Sequence, residues 1–132
     1  MSVLDTIRDH LDAMLPAAVT VRIGDMTGVP VPRVSVWGPP IGRATDSALA
    51  EGGHSEVVGI TCTAANEQAA TALARAAIDS LTPGLTPQRI GAVVVDFMSA
   101  QNAVTDRQVT LPSTNTHPAF VTAQFRAHTQ EP

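Results

Sequence analysis

Apolar residues recur at three- and four-residue spacing at the start of the chain: Val3, Leu4, Ile7, Leu11, Met14 and Leu15. That period predicts a helix with one apolar stripe. Pro16 ends it, because proline has no N–H for the helix ladder and crowds the preceding turn. Ser2, with Asp5 three residues on, approximates a capping box. Asp5, Asp9 and Asp12 fall on the polar side, with Arg8 within reach of all three. Asp5 suits the positive helix end, whereas Asp12 opposes the dipole at the other end. An acid kept at such a position makes this side a candidate surface toward a partner or a channel, against a plain solvated face as the default.

The period then changes to two. Val19 to Ile23 alternates as a half-buried strand does, and Arg33 to Trp37 repeats the pattern before Gly38-Pro39-Pro40. Both lie next to or inside the stretch Gly24–Gly53, which holds six of the chain's 9 glycines. Its last part, a Gly/Pro-rich loop at about 38–54, is too long for an ordinary connection and is the segment expected to order against a neighbour.

Val57 to Thr63 is a near-continuous apolar run, the mark of a central strand. Thr63 is the expected cap of a helix reaching about Leu81, with Ala70, Leu73, Ala74, Ala77, Ile78 and Leu81 on its apolar side. Pro83-Gly84-Leu85-Thr86-Pro87 stops it. Ile90 to Phe97 reads as one strand, Ser99 to Arg107 as a connection, and Gln108 to Leu111 as a short strand. The last strand, Ala119 to Ala127, puts Ala119, Val121, Ala123, Phe125 and Ala127 on one face and Phe120, Thr122, Gln124 and Arg126 on the other. Residues 128–132 are expected to fray. The order of elements predicts a single α+β domain over residues 1–132: a mainly antiparallel or mixed sheet of about six strands, with two helices packed on one face. A strand–helix–strand unit around the second helix is a candidate source of one parallel pair.

Composition narrows the chemistry. The chain has 132 residues and a formal net charge of −4. Its basic residues are all arginine, spread evenly along the chain and outnumbered by 12 acids, so no basic patch favours nucleic acid. No apolar run approaches a membrane span, and the start of the chain lacks the basic and apolar regions of a signal peptide. One cysteine, Cys62, excludes an intrachain disulfide and a cysteine-cluster zinc site, and its apolar neighbours suggest a buried thiol. None of His10, His54, His117 and His128 has zinc-motif spacing; His54 and Glu56 alone share a strand face. Gly38 to Arg43 resembles a phosphate loop only superficially, because its prolines lack N–H donors. Asp96, the one charge in its strand, is a buried catalytic carboxylate on one reading and the strand's exit to solvent on the favoured one. Trp37 is the only tryptophan, a core anchor or an interface anchor. Catalytic, cofactor-binding and metal residues are therefore expected to be none, and the work of the chain is expected to be contact.

Two further segments carry a resemblance: Glu56-Val57-Val58-Gly59-Ile60-Thr61-Cys62-Thr63, and Asn66-Glu67-Gln68-Ala69-Ala70-Thr71-Ala72-Leu73-Ala74 after it. With the strand ending Val34-Ser35-Val36-Trp37-Gly38-Pro39-Pro40, an Asp106 turn and the strand Phe120 to Phe125, the chain resembles the tail terminator proteins of long-tailed bacteriophages, those of actinobacteria especially. The likeness spans roughly residues 3 to 127, in element order and length. It implies a non-enzymatic virion protein at the head-proximal end of the tail, assembled in the host cytoplasm. It also implies a six-membered ring of identical subunits that caps the tail tube, stops its growth and joins the tail to the head. The implied partners are other copies of itself, the major tail tube protein, a connector or stopper protein, and DNA that passes through the lumen without specific binding. Trp37, Ile41, Arg43 and Leu49 are the candidate interface residues, and Asp5, Asp9 and Asp12 the candidate lumen-facing acids. Another connector component, such as a stopper or head-completion protein, and a small-molecule-binding or enzymatic α+β domain remain as alternatives.

Overall fold

The computed structural model describes residues 3–38, 53–111 and 115–130 of the chain. The elements are α1 (Val3–Met14), β1 (Thr20–Ile23), β2 (Arg33–Trp37), β3 (Gly53–Ala64), α2 (Glu67–Leu81), a 3-10 turn (Pro83–Leu85), β4 (Gln88–Ile90), β5 (Val93–Ala100), β6 (Val104–Thr105) and β7 (Ala119–Gln130). The strands form one 7-stranded sheet in the order β1-β2-β3-β7-β5-β4, with β6 on β7. β1 and β2 run parallel, and every other pair is antiparallel. This is the expected α+β arrangement of two helices and a mixed sheet.

Both helices bury their stripes against one sheet face. Val3, Ile7, Leu11 and Leu15 of the first helical segment and Ala70, Leu73, Ala74, Ala77 and Leu81 of α2 meet Val34, Val36, Val58, Ile60, Cys62, Val93 and Val95 in one core. Register explains which residues enter it: Val36, Ile60 and Ala123 stand side by side, as do Val34, Cys62 and Val121. Phe125 is fully buried and meets Phe97 edge-on, ring centroids 5.8 Å apart. The expected two faces of the last strand are both observed, with Ala119, Val121, Ala123, Phe125 and Ala127 inside.

The ends of α2 are tied down by side chains. Asn66, whose Oδ1 accepts the Ala69 N–H at 2.8 Å, is its N-cap. At the other end the Gln88 amide donates to the Ser80 and Leu81 carbonyls at 2.8 and 3.1 Å. His10 Nε2 lies 2.8 Å from the same Ser80 oxygen, which can only accept. The last carbonyls of α2 thus bind α1 and β4 to it.

Several local expectations are corrected. The cap is Asn66 and not Thr63, because β3 continues to Ala64 before the chain turns. The apolar run Ile90 to Phe97 is two strands: Ile90 pairs with Val93 across a tight turn in which Gly91 adopts φ 61, so the run folds back on itself. β5 then extends to Ala100, and β6 forms inside the stretch read as a connection. Gln108 to Leu111 is no strand; only Leu111 bridges Thr116. β7 reaches Gln130 because β3, beginning at Gly53, pairs along its whole length, so residues 128–130 of the expected tail are strand, and 131–132 lie outside the described residues. The parallel pair is β1–β2, while β3 and β5 are separated by β7.

Candidate functional site

The sheet face opposite the helices carries the alternate residues of the long strands. Trp37, Val57, Thr61, Val94, Asp96, Phe120, Thr122, Gln124 and Arg126 lie there, all half-buried. Near β1 and β2 the 24–32 connection borders this face: Ser35 Oγ donates to the Gly24 carbonyl at 2.7 Å, and Arg33 donates to the Val29 carbonyl. Among the described residues, neither helix covers the remainder.

Trp37 sits flat on this face over Gly59, its cross-strand partner. A Cβ at Gly59 would fall inside the indole, against Cζ2, Cε2 and Cη2, so the ring occupies the space a side chain would need. Its Nε1 donates to Thr61 Oγ1 at 3.0 Å. Trp37 is therefore a half-buried surface anchor fixed by a strand glycine. The glycine inside the apolar run Val57 to Cys62 was the sequence signal for a close approach.

The other candidates are not gathered with it. Ile41, Arg43 and Leu49 lie outside the described residues. Asp5, Asp9 and Asp12 are on α1, on the helix side of the sheet, with Asp9 and Asp12 exposed and Asp5 half-buried. Arg8 pairs with Asp5 at 3.4 Å and Asp9 at 3.0 Å, so part of the acid surface is compensated locally. Asp96 is not at a strand exit: it is half-buried in mid-strand opposite Arg126, two positions before the bulge between Phe97 and Ser99.

A groove of about 670 Å³ follows the flank of α2, with Gln68, Thr71 and Arg75 on one wall and Ala100, Gln101 and Asn102 on the other. Thr105 donates to the Glu67 carboxylate at its end. Sequence reasoning missed this groove because its far wall is the segment read as a plain connection.

Two groups have displaced titration. The Thr27 hydroxyl, and then its backbone N–H, donate to Asp25 and hold its carboxyl below the ordinary range. Burial pushes the Cys62 thiol up to about 12, as for a small core residue and not a nucleophile. Among the described residues no cluster of three or more His, Cys, Asp or Glu is placed to hold a metal, and no helix is long and apolar enough to cross a membrane. Compared with known protein families and with curated proteins, the chain matches none of them.

Proposed function

We propose that this chain is a contact protein of the virion, a tail terminator that closes into a ring on the end of a phage tail tube. The observation that carries the reading is the sheet face left open by both helices, with Trp37 held over Gly59. Tryptophan is enriched at binding hot spots, and half-buried apolar side chains alternating with Thr, Gln and a charged pair make a surface suited to a protein partner. The order of elements supports the resemblance: the strand Gly53–Ala64 leads through Asn66 into a helix beginning Glu67-Gln68-Ala69. In this reading the 41–53 loop meets a neighbouring subunit or the tube, and the carboxylates of α1 face the lumen. There acidic groups repel DNA phosphates and keep the bore from gripping the genome. Of the three, Asp12 lacks the Arg8 pairing that Asp5 and Asp9 have.

The reading is tested by electron microscopy of the protein, alone at high concentration and on the tails of the phage that encodes it. Six-fold rings at the head-proximal tail end are expected; tails carrying none of this protein would overturn the reading. The groove beside α2 favours a second reading, a binding module for a small polar ligand. Saturable binding of such a ligand there by a stable monomer would favour it over the ring.

A further inference from the structure

The two ends of the sheet are stepped. β2 pairs with only part of β3, from Arg33 opposite Thr63 to Trp37 opposite Gly59. The sequence then reads Gly38-Pro39-Pro40, and proline has no N–H to extend a ladder. The remainder of β3, Gly53 to Val58, pairs with β7 on one side and, among the described residues, with no strand on the other. At the far end β4 pairs with β5 alone. Among the described residues neither edge has a further strand partner, β4 also touching α1, and the two edges are level. Arg89 stands opposite Val94, Val94 opposite His128, and His128 opposite Ser55; Gln88 and Ile90 align in the same way with Glu56 and His54.

Backbone polarity can be read along both edges, because the N–H and C=O of a strand residue point to one side and alternate with the next. The Val36 carbonyl accepts from Gly24 N–H at 2.9 Å, so Val36 faces β1 while Ser35 and Trp37 face β3. Their partners Thr61 and Gly59 face β2, and Val57 and Ser55, in the same phase, face outward beyond its end. On the other flank the Thr122 carbonyl accepts from Gln101 N–H at 2.9 Å. His128, in phase with Thr122, therefore faces β5, its partner Val94 faces β7, and Val93 and Val95 face β4. Ile90 and Gln88 meet those two, which leaves the Arg89 N–H and C=O directed outward.

Strand direction alternates through β3, β7, β5 and β4. A rotation about an axis along the strands brings a second copy alongside without breaking that alternation, β4 of one copy meeting β3 of the next antiparallel. We infer that copies of this chain join head to tail by pairing β4 of one with the Gly53–Val58 edge of the next, Arg89 opposite Ser55. Each copy gives one edge and receives on the other, so the contact is heterologous and repeats until it closes. It uses strand addition at an edge that has no strand partner among the described residues. Closure as a ring rests on the terminator reading; the edge pairing rests on the topology.

The test is a double variant, Ser55→Cys with Arg89→Cys. Directly opposed residues in a hydrogen-bonded antiparallel pair have Cα atoms about 5.5 Å apart, inside the range a disulfide bridges. Within one copy the same positions are separated by β7 and β5, roughly 14 Å at about 4.8 Å per strand, too far to bridge. The one native cysteine, Cys62, is buried. Mild oxidation of assembled protein should give a ladder from dimer to the closed ring on non-reducing gels. Arg89→Pro and Ser55→Pro, each removing one outward N–H, should raise the concentration needed for assembly about tenfold or more, whereas Arg89→Lys and Ser55→Thr should not. Rings without a ladder, assembled as readily by the proline variants, would overturn the edge pairing and leave the ring reading standing. A dimer from Ser55→Cys alone would show a two-fold β3 contact and overturn the head-to-tail arrangement. Monomer at every concentration, on tails as well as in solution, would overturn the ring and the pairing together.

Discussion

Gly59→Ala is the perturbation whose consequence follows most directly from the geometry. The added methyl would occupy the place of the indole, so Trp37 must leave its seat. That breaks its bond to Thr61, a loss of about 1 kcal/mol. It also uncovers much of a half-buried ring; some 100 Å² at about 25 cal/mol per Å² gives about 2.5 kcal/mol. Alanine returns about 0.5–1 kcal/mol over glycine in a strand. The net destabilisation is about 2–3 kcal/mol, a fall in Tm of roughly 10 °C for a chain of this size. Because the chain has one tryptophan and no tyrosine, its fluorescence reports on this residue alone, and emission should shift to the red. In a Trp37→Ala background the same change should be neutral or slightly stabilising, so the cycle should show coupling of about 2–3 kcal/mol. Unchanged emission and a Tm within about 1 °C in Gly59→Ala would refute the seat described for the ring.

Other outcomes follow from the same structure. Asn66→Ala should lower stability by about 1 kcal/mol in chemical denaturation, through loss of the cap to Ala69, while Asn66→Ser should recover most of it. Gln88→Ala leaves two α2 carbonyls with fewer donors and should cost about 1–2 kcal/mol. Cys62 should resist thiol reagents in the folded protein and react on unfolding. Its folded pKa is raised, so its contribution is fully present below the unfolded value near 9 and is lost as pH rises toward about 12, at most about 1.4 kcal/mol per pH unit. Denaturation at stepped pH should show that decline, and a Cys62→Ala chain should not. In the terminator reading proposed above, Asp5→Asn, Asp9→Asn and Asp12→Asn together should slow DNA ejection from assembled particles; wild-type ejection would remove the acids from the lumen.

The legible parts of the sequence were those where one period persists. The stripe from Val3 to Leu15 gave α1, the alanine-rich stripe from Ala70 to Leu81 gave α2, and the alternation from Ala119 to Ala127 separated the two faces of β7. Errors arose where a single residue reversed the chain or where pairing extended a strand. Gly91 turns an unbroken apolar run into a hairpin, and nothing in the hydropathy of Ile90 to Phe97 distinguishes that from one strand. The polar ends of β3 and β7 are strand because each supplies the other's ladder, a long-range cause that local composition does not contain. The seat of Trp37 was not read from the sequence: a glycine inside an apolar run is compatible with a close approach, but only the register names the residue that approaches. The level edges of β3 and β4 depend on the order of the whole sheet, and no window of sequence carries that.

In the reading proposed above, this chain works by closing a ring on a tail tube, with the open sheet face and the stepped edges as its contacts. A cryo-electron reconstruction of the head-proximal end of tails assembled with this chain tests that reading. A six-fold ring of this chain around a continuous bore is expected, with Trp37 buried in a protein contact. Density at that position built from another protein, with this chain absent from the purified particle, would contradict it.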